Sequence, residues 1–378
     1  MAFIIYLLIY ISFTDLFAQL PITSTYAQGL GATTGFIGFI VGAYSLTNLF
    51  SNVFAGQVID RTGPKKVMLL GFLLNAVVLF LYAIVTSPTQ LLFVRFLNGL
   101  TAGVITPAAF TYLTLYHKDK NKGKTMAFSG AAVGLAAISG PAFSGIISSK
   151  IGPEVVYMTI GFLMLAGLII TLTLKPLQRS QQEYEARNRS SILSYLGLFN
   201  NKGLLLAFLG ALSLAASQGI LAYMLPLKVV SIGMDDRISG MLISVFGIVA
   251  ILFFVSPTNR IFDKYRNEMI LPIGLLTIAV SQTLSSFASS QMVFIISMTI
   301  YGIGFALIFP SMAGLISEYS SDYERGKAFG LFYGFISVGS FLGSSLTGMF
   351  SLTPDQGFIS AAVFLLIVSA TILLTTKK

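Results

Sequence analysis

Two ionisable residues lie inside long apolar stretches of this 378-residue chain, where a charge is costly. Asp15 shares a helical face with Ser12 and Gln19, and Arg95 stands three residues before Asn98. A carboxylate can bind and release a proton, whereas an arginine stays charged and needs an anion, carbonyls or water. We interpret Asp15 and Arg95 as a proton-responsive pair. Two alternatives stay open: a static buried pair that only fixes two helices, and an arginine that reaches the outer surface.

Polar side chains in the apolar stretches are candidates to line a substrate cavity. The candidates are Gln19, Tyr44, Asn48, Asn98 and Gln218. The same groups could instead hydrogen-bond neighbouring helices, so the pattern alone leaves both interpretations open.

Composition requires that these residues sit in a membrane protein. The chain is 55% hydrophobic and 10% charged, and its mean hydropathy is +0.84, too apolar for a soluble core. It has no cysteine and one histidine, and we find no metal cluster, nucleophile–base pair or phosphate-binding loop. We therefore expect no enzyme activity, no cofactor and no metal.

Twelve apolar segments are each near the ~20 residues that a helix needs to cross a bilayer. Their approximate bounds are 2–26, 35–57, 66–86, 90–114, 125–149, 154–174, 203–226, 238–257, 268–289, 291–316, 326–350 and 357–375. The predicted fold class is all-α, with two bundles of six transmembrane helices at 1–174 and 203–378 and a linker at 175–202.

The second half of the chain is a diverged copy of the first. Landmarks recur at an offset of 203 residues: Asp60 at Asp263, Gly99 at Gly302, Pro107 at Pro310, Gly140 at Gly343 and Gly145 at Gly348. An internal repeat of this length is typical of transporters. The same offset places Gln218 opposite Asp15 and Met298 opposite Arg95, so we expect any ion coupling to lie in the first half.

The distribution of basic residues predicts the topology. If the loop containing Asp60 is cytoplasmic, every second loop and the C-terminus lie on the same side, and these hold 19 of the 23 Lys and Arg residues. This positive-inside pattern predicts that both termini are cytoplasmic and explains the net charge of +9 without a nucleic-acid partner.

The turn between the second and third segments carries the most specific motif. Its residues are Gly56, Asp60, Arg61, Gly63, Pro64, Lys65 and Lys66. A diverged copy of the motif occupies residues 259–266 in the second half. This turn resembles the signature loop of the major facilitator superfamily of secondary transporters. The resemblance implies two six-helix bundles around a cavity that opens alternately to each side. It also implies a conformational-switch role for Gly56, Asp60, Arg61, Gly63 and Lys65.

The fifth segment contains Gly140, Pro141 and Gly145, which resemble the glycine–proline signature of the drug:proton antiporters in that superfamily. Ser144 and Ala136 replace glycines of that signature. We expect Gly140–Pro141 and the stretch from Gly343 to Gly348 to lie at close contacts between the two halves.

The sequence and its resemblance together predict a proton-coupled exporter of small amphipathic compounds in the bacterial cell membrane. The expected partners are a small-molecule substrate, protons and the lipid bilayer, and we expect a monomer. A dedicated exporter of an endogenous metabolite, such as a siderophore, a sugar or a lipid, is the alternative.

Overall fold

Long helices account for nearly all of the described chain. The structure, a computed structural model, describes residues 2–116, 122–177, 197–321 and 324–376. Most of the predicted linker, 178–196, and His117 lie outside these ranges. The helices are α1 (Ala2–Gln19), α2 (Thr23–Gly29), α3 (Thr34–Thr62), α4 (Pro64–Leu81), α5 (Pro88–Tyr116), α6 (Lys122–Lys150), α7 (Pro153–Leu172), α8 (Lys202–Ser231), α9 (Arg237–Val255), α10 (Ile261–Lys264), α11 (Asn267–Phe287), α12 (Gln291–Tyr319), α13 (Arg325–Met349) and α14 (Pro354–Thr376).

The predicted twelve spans are confirmed with one modification. Among the described residues, eleven helices are long and apolar enough to cross a membrane, and α1 and α2 form a twelfth span bent by 46°. Pro21 lies at the bend and cannot donate a backbone hydrogen bond. The Thr23 hydroxyl donates to the Gln19 carbonyl at 2.8 Å, which satisfies an oxygen at the broken helix end. The bend therefore places Gln19 at the end of α1.

The two halves use the same scheme of helix pairs. In the first half α1 packs on α6, α3 on α5, and α4 on both α5 and α7. In the second half the matching pairs are α8 with α13, α9 with α12, and α11 with both α12 and α14. The repeat seen in the sequence thus corresponds to a repeated packing arrangement.

Glycines at the fixed offset make matching contacts. A Cβ atom built on Gly99 would lie 3.0 Å from the Tyr44 carbonyl carbon of α3, and one on Gly302 would lie 2.7 Å from the Phe246 carbonyl oxygen of α9. Each glycine lets its helix approach a neighbour closely, as small residues do at membrane helix contacts.

Contacts between the halves are concentrated away from the chain termini. We call the membrane face that carries both termini the terminal side, and the other the opposite side. On the opposite side α3 packs against α13, and a Cβ built on Gly348 would lie 2.8 Å from Gly38 Cα. On the same side α6 packs against α9, and a Cβ built on Gly145 would lie 3.1 Å from Gly240 Cα.

On the terminal side, Cβ atoms built on Gly56, Gly130 and Gly330 would meet nothing within 4 Å. The close glycine contacts between the halves therefore lie on the opposite side and in the middle of the helices, and these three glycines make none.

Candidate functional site

Asp15 lies at the centre of a polar cluster inside the first half. Its carboxyl group is fully buried. Asn75 of α4 donates to Asp15 Oδ2 at 2.8 Å, Asn98 of α5 donates to the same oxygen at 3.3 Å, and Gln19 donates to Oδ1. Three amide N–H groups from three helices thus converge on one carboxylate.

Arg95 joins the same cluster from α5. Its guanidinium donates to Gln19 Oε1, to the Ile40 carbonyl at 3.3 Å and to the Val41 carbonyl at 3.1 Å. The guanidinium carbon also lies 5.1 Å from the centre of the Tyr44 ring, within cation–π range. With 5% of its surface exposed, Arg95 turns into the protein and does not reach the outer surface.

Two further residues that the sequence analysis did not select complete the cluster. Asn75 Oδ1 accepts from Asn98 at 2.9 Å and from the Thr101 hydroxyl at 2.7 Å. The signal for Asn75 was its position as a lone amide in the apolar segment 66–86, and Thr101 lies three residues after Asn98. A buried amide in this position must be hydrogen-bonded to be tolerated.

Stacked tyrosines close one edge of the cluster. Tyr82 donates to Asn98 Oδ1 at 3.3 Å, and its ring is parallel to that of Tyr157, with centres 3.7 Å apart. The Tyr157 hydroxyl lies 3.1 Å from the Thr23 hydroxyl of α2. These rings separate the polar cluster from its surroundings and connect it to the bend after Gln19.

The donor pattern around Asp15 has a definite chemical consequence. An ionised carboxylate only accepts hydrogen bonds, and the three amides all present donors to it. A protonated carboxyl must donate one hydrogen bond, so at least one amide has to turn its oxygen towards Asp15. If Gln19 is the amide that turns, Arg95 loses its acceptor on that side chain.

The five predicted cavity residues differ in how deeply they are buried. Gln19, Tyr44 and Asn98 are buried within the cluster, whereas Asn48 and Gln218 are half-buried. Asn48 Oδ1 accepts from Asn52 at 2.6 Å, and Gln218 makes no side-chain hydrogen bond among the described residues. The cavity role of these five residues stays a prediction.

The second half holds a neutral counterpart of the cluster. Gln282 donates to the Ser217 hydroxyl at 2.7 Å, which lies 3.2 Å from the Tyr301 hydroxyl. Tyr301 occupies the position equivalent to Asn98 at the offset of 203 residues. Unlike the cluster around Asp15, this one contains neither a carboxylate nor a guanidinium among the described residues.

Comparison with known families identifies the fold. The model of the Major Facilitator Superfamily matches residues 3–271 and 207–378, which together span almost the whole chain. This chain belongs to the major facilitator superfamily. It is therefore a membrane transporter of small molecules with multiple spans, and it is not an enzyme.

Similar superfamily members include drug-resistance proteins. Multidrug resistance protein 1 of Bacillus subtilis is 23% identical over 366 residues, covering 95% of this chain and 92% of that protein. Quinolone resistance protein NorA of Staphylococcus aureus is 22% identical over 380 residues, covering 100% and 96%. An MFS-type transporter of Methanocaldococcus jannaschii is 26% identical over 327 residues, covering 86% and 84%.

Solved superfamily structures share the fold at low sequence identity. The nucleoside transporter NupG superposes with a TM-score of 0.81 at 17% identity, covering 99% of both chains. A POT family transporter gives a TM-score of 0.82 at 13% identity, covering 100% of this chain and 96% of that one.

The superfamily's signature turn is built by Gly63 and Lys65. Gly63 has φ of 85°, a conformation that L side chains rarely adopt, and it separates α3 from α4. Lys65 Nζ donates to the Leu172 carbonyl at 2.9 Å and to the Leu174 carbonyl, so it caps the end of α7. The switch role of these residues stays a prediction.

Gly56 makes no close helix contact in the structure, because a Cβ there would meet nothing within 4 Å. Asp60 is half-buried and Arg61 is exposed. The turn lies on the terminal side.

The antiporter-like motif divides between two contacts. Pro141 and Gly145 pack against Gly240 of the other half, as expected. Gly140 instead contacts its own half, where a Cβ would lie 3.1 Å from the Ala18 nitrogen of α1. Gly343 behaves in the same way and meets Ala216 of α8. Only the second glycine of each repeat, Gly145 or Gly348, lies between the halves.

Proposed function

We propose that this chain is a proton-coupled exporter of small amphipathic compounds that works by alternating access. The observation that carries the proposal is the fully buried Asp15, held by three amides and linked through Gln19 to Arg95. An ionisable side chain inside a membrane bundle is costly and typically serves ion or substrate movement.

The proposed orientation places both termini in the cytoplasm of a bacterial cell. It rests on the excess of Lys and Arg in the loops on the terminal side. With this orientation, the close glycine contacts between Gly38 and Gly348 and between Gly145 and Gly240 lie on the outer side, and we infer a conformation that opens towards the cytoplasm. An exporter needs this state in order to take up its substrate.

Arg95 provides the physical link between Asp15 and the closed contact. It binds the Ile40 and Val41 carbonyls of α3, and the neighbouring Gly38 and Gly42 of the same helix pack against α13. Protonation of Asp15 reorients the Gln19 amide, releases one donor of Arg95 and so changes how α3 is held. Packed helix contacts have discrete arrangements, which lets such a local change favour the alternative state.

Aromatic side chains support an amphipathic substrate. The chain contains 32 Phe, 16 Tyr and 13 Met residues. Half-buried pairs lie on α1, where the Phe13 and Phe17 rings are 6.2 Å apart, and on α12, where the Phe305 and Phe309 rings are 5.7 Å apart. Such surfaces suit ligands of varied shape. The drug-resistance proteins named above add support for export of drug-like compounds.

Transport by purified protein in liposomes tests the proposal. A fluorescent amphipathic dye is loaded on the side that carries the termini, and a proton gradient is imposed with the opposite side acidic. We expect gradient-dependent dye export that a protonophore abolishes. Export that is unaffected by the protonophore would contradict proton coupling.

Competition then distinguishes the two substrate hypotheses. Siderophores, sugars and lipids are added as competitors together with unrelated amphipathic compounds. A multidrug exporter is inhibited by many amphipathic compounds. Inhibition by one metabolite alone would instead identify a dedicated exporter.

A further inference from the structure

A second carboxyl group, far from Asp15 in the sequence, lies in the contact between the halves. Asp236 immediately precedes α9, and its Oδ2 accepts from the Thr25 hydroxyl of α2 at 3.2 Å. This hydrogen bond joins the first half to the second on the opposite side. No step of the proposed transport mechanism uses it.

Buried polar atoms without hydrogen bonds are concentrated within three residues of Asp236 or of its partner Thr25. Five buried side-chain atoms in the described chain lack a partner, and three of them belong to Ser24, Asp236 and Ser239. Ser24 precedes Thr25, and Ser239 lies one helical turn after Asp236. A buried acceptor without a donor is costly, and the cost is greatest when the carboxylate is ionised.

Few charges are available to stabilise an ionised Asp236. On its own loop, Asp235 repels it, and Arg237 lies 3.4 Å from Asp235 Oδ2. The seven residues of α2 include no charged residue, and on this side of the membrane α6 carries only Lys150, exposed at its last position. Lys228, in the last turn of α8, pairs with Asp355.

Burial therefore raises the pKa of Asp236 to about 6, and the neighbouring Asp235 adds to the increase, while the hydrogen bond from Thr25 opposes it. If the halves separate on the opposite side, water reaches this carboxyl group and its pKa falls towards the ordinary value of about 4.

We propose that Asp236 is a second proton-binding site, and that the proton it takes from the opposite side holds that side closed. The proton neutralises the carboxyl group. When it is bound at Oδ1, it also converts that atom from an acceptor without a partner into a hydrogen-bond donor. It remains on the opposite side and is not transported. The site therefore works independently of Asp15.

The direction of the pH effect follows from linkage. The closed state has the higher pKa, so protonation stabilises it, and this stabilisation is lost as the pH rises from about 4 to about 6. With these two pKa values, the ratio of closed to open protein should rise about tenfold when the pH falls from 7 to 5.

The absence of native cysteines makes the test direct, because two introduced cysteines can carry spin labels. Ser149 of α6 and Ser231 of α8 are exposed, lie on the opposite side and belong to different halves. Ser149→Cys and Ser231→Cys in protein placed in lipid nanodiscs report the distance between the halves by electron spin resonance at pH 7 and pH 5.

In labelled protein that also carries Asp15→Asn, so that protonation of Asp15 cannot favour the open state, we expect the short-distance population to grow about tenfold relative to the long-distance one at pH 5. Asp236→Asn should remain mostly closed at both pH values. Thr25→Val, which removes the hydrogen bond that opposes the increase, should move the midpoint to higher pH. Asp235→Asn, at an exposed position, should keep a clear pH dependence.

Three results would overturn the proposal: no pH dependence in the Asp15→Asn background, an unchanged dependence when Asp236→Asn is added to it, or a response to sodium concentration at fixed pH in place of a response to protons. Asp15→Asn separates the two proposals, because it should leave this pH response in place.

Discussion

Asp15 and Arg95 are not in direct contact in the described structure, and the Gln19 side chain joins them by donating to one and accepting from the other. The pair is therefore a relay of three residues on two helices. The Gln19 amide lies between the carboxylate and the guanidinium and can adopt two orientations. The cluster therefore has two hydrogen-bonding arrangements, which a direct ion pair would lack.

Replacing the relay residue should uncouple transport from the proton gradient. Gln19→Leu keeps the volume but removes both hydrogen bonds, so the protonation state of Asp15 can no longer alter how Arg95 is held. We expect gradient-driven export to fall sharply while substrate exchange across the liposome membrane persists. Gln28→Leu, at an exposed position on α2, is the matched control and should behave as the parent. Equal loss of both activities in Gln19→Leu would indicate a structural role only.

Asn75 should be needed for the stability of the cluster. Asn75→Leu leaves Asp15 Oδ2 with its longer hydrogen bond from Asn98 and leaves the Thr101 hydroxyl without its amide acceptor. A lost hydrogen bond costs about 1 kcal/mol, and one to a charged group about 1.5–3 kcal/mol, so we expect a lower unfolding temperature in detergent. Asn52→Ala, which affects hydrogen bonds within α3 alone, should cause a smaller decrease. Similar decreases in the two variants would contradict the proposed importance of Asn75.

The two adjacent lysines of the signature turn should differ in their effect on stability. Lys65 binds two carbonyls at the end of α7, whereas Lys66 is exposed. Lys65→Ala should lower the free energy of unfolding by about 1 kcal/mol, and Lys66→Ala should have little effect. Thermal unfolding of both variants measures the difference. A larger loss in Lys66→Ala would show that the cap on α7 is not important.

Added volume at Gly240 should prevent closure on the opposite side. A Cβ there overlaps the Pro141 carbonyl and lies 3.0 Å from Gly145 Cα, so Gly240→Ala has to separate α6 from α9. We expect a larger distance between spin labels on the two halves and slow turnover with substrate binding retained. Gly330→Ala, with no neighbour within 4 Å, is the control. An unchanged distance in Gly240→Ala would show that the contact can absorb the extra methyl group.

The twelve spans, the internal repeat and the association of Asp15 with Arg95 could be anticipated, because the length of apolar segments and the rare ionisable residues inside them can be read directly from the sequence. The bend at Pro21 and the inward direction of Arg95 could not, since they depend on which carbonyls a neighbouring helix offers. The same reason explains Gly140, which faces α1 where a contact with the other half was expected. Asn75 was overlooked because a single amide in an apolar segment has no pattern around it.

If Asp15 carries the transported proton, Asp15→Asn should remove the coupling of export to the proton gradient. The amide is similar in size and cannot be ionised. In liposomes that contain equal amounts of parent and variant protein, export against a substrate gradient and exchange at equal substrate concentrations are measured side by side. We expect Asp15→Asn to lose gradient-driven export while exchange persists. Gradient-driven export at the parental rate would contradict it.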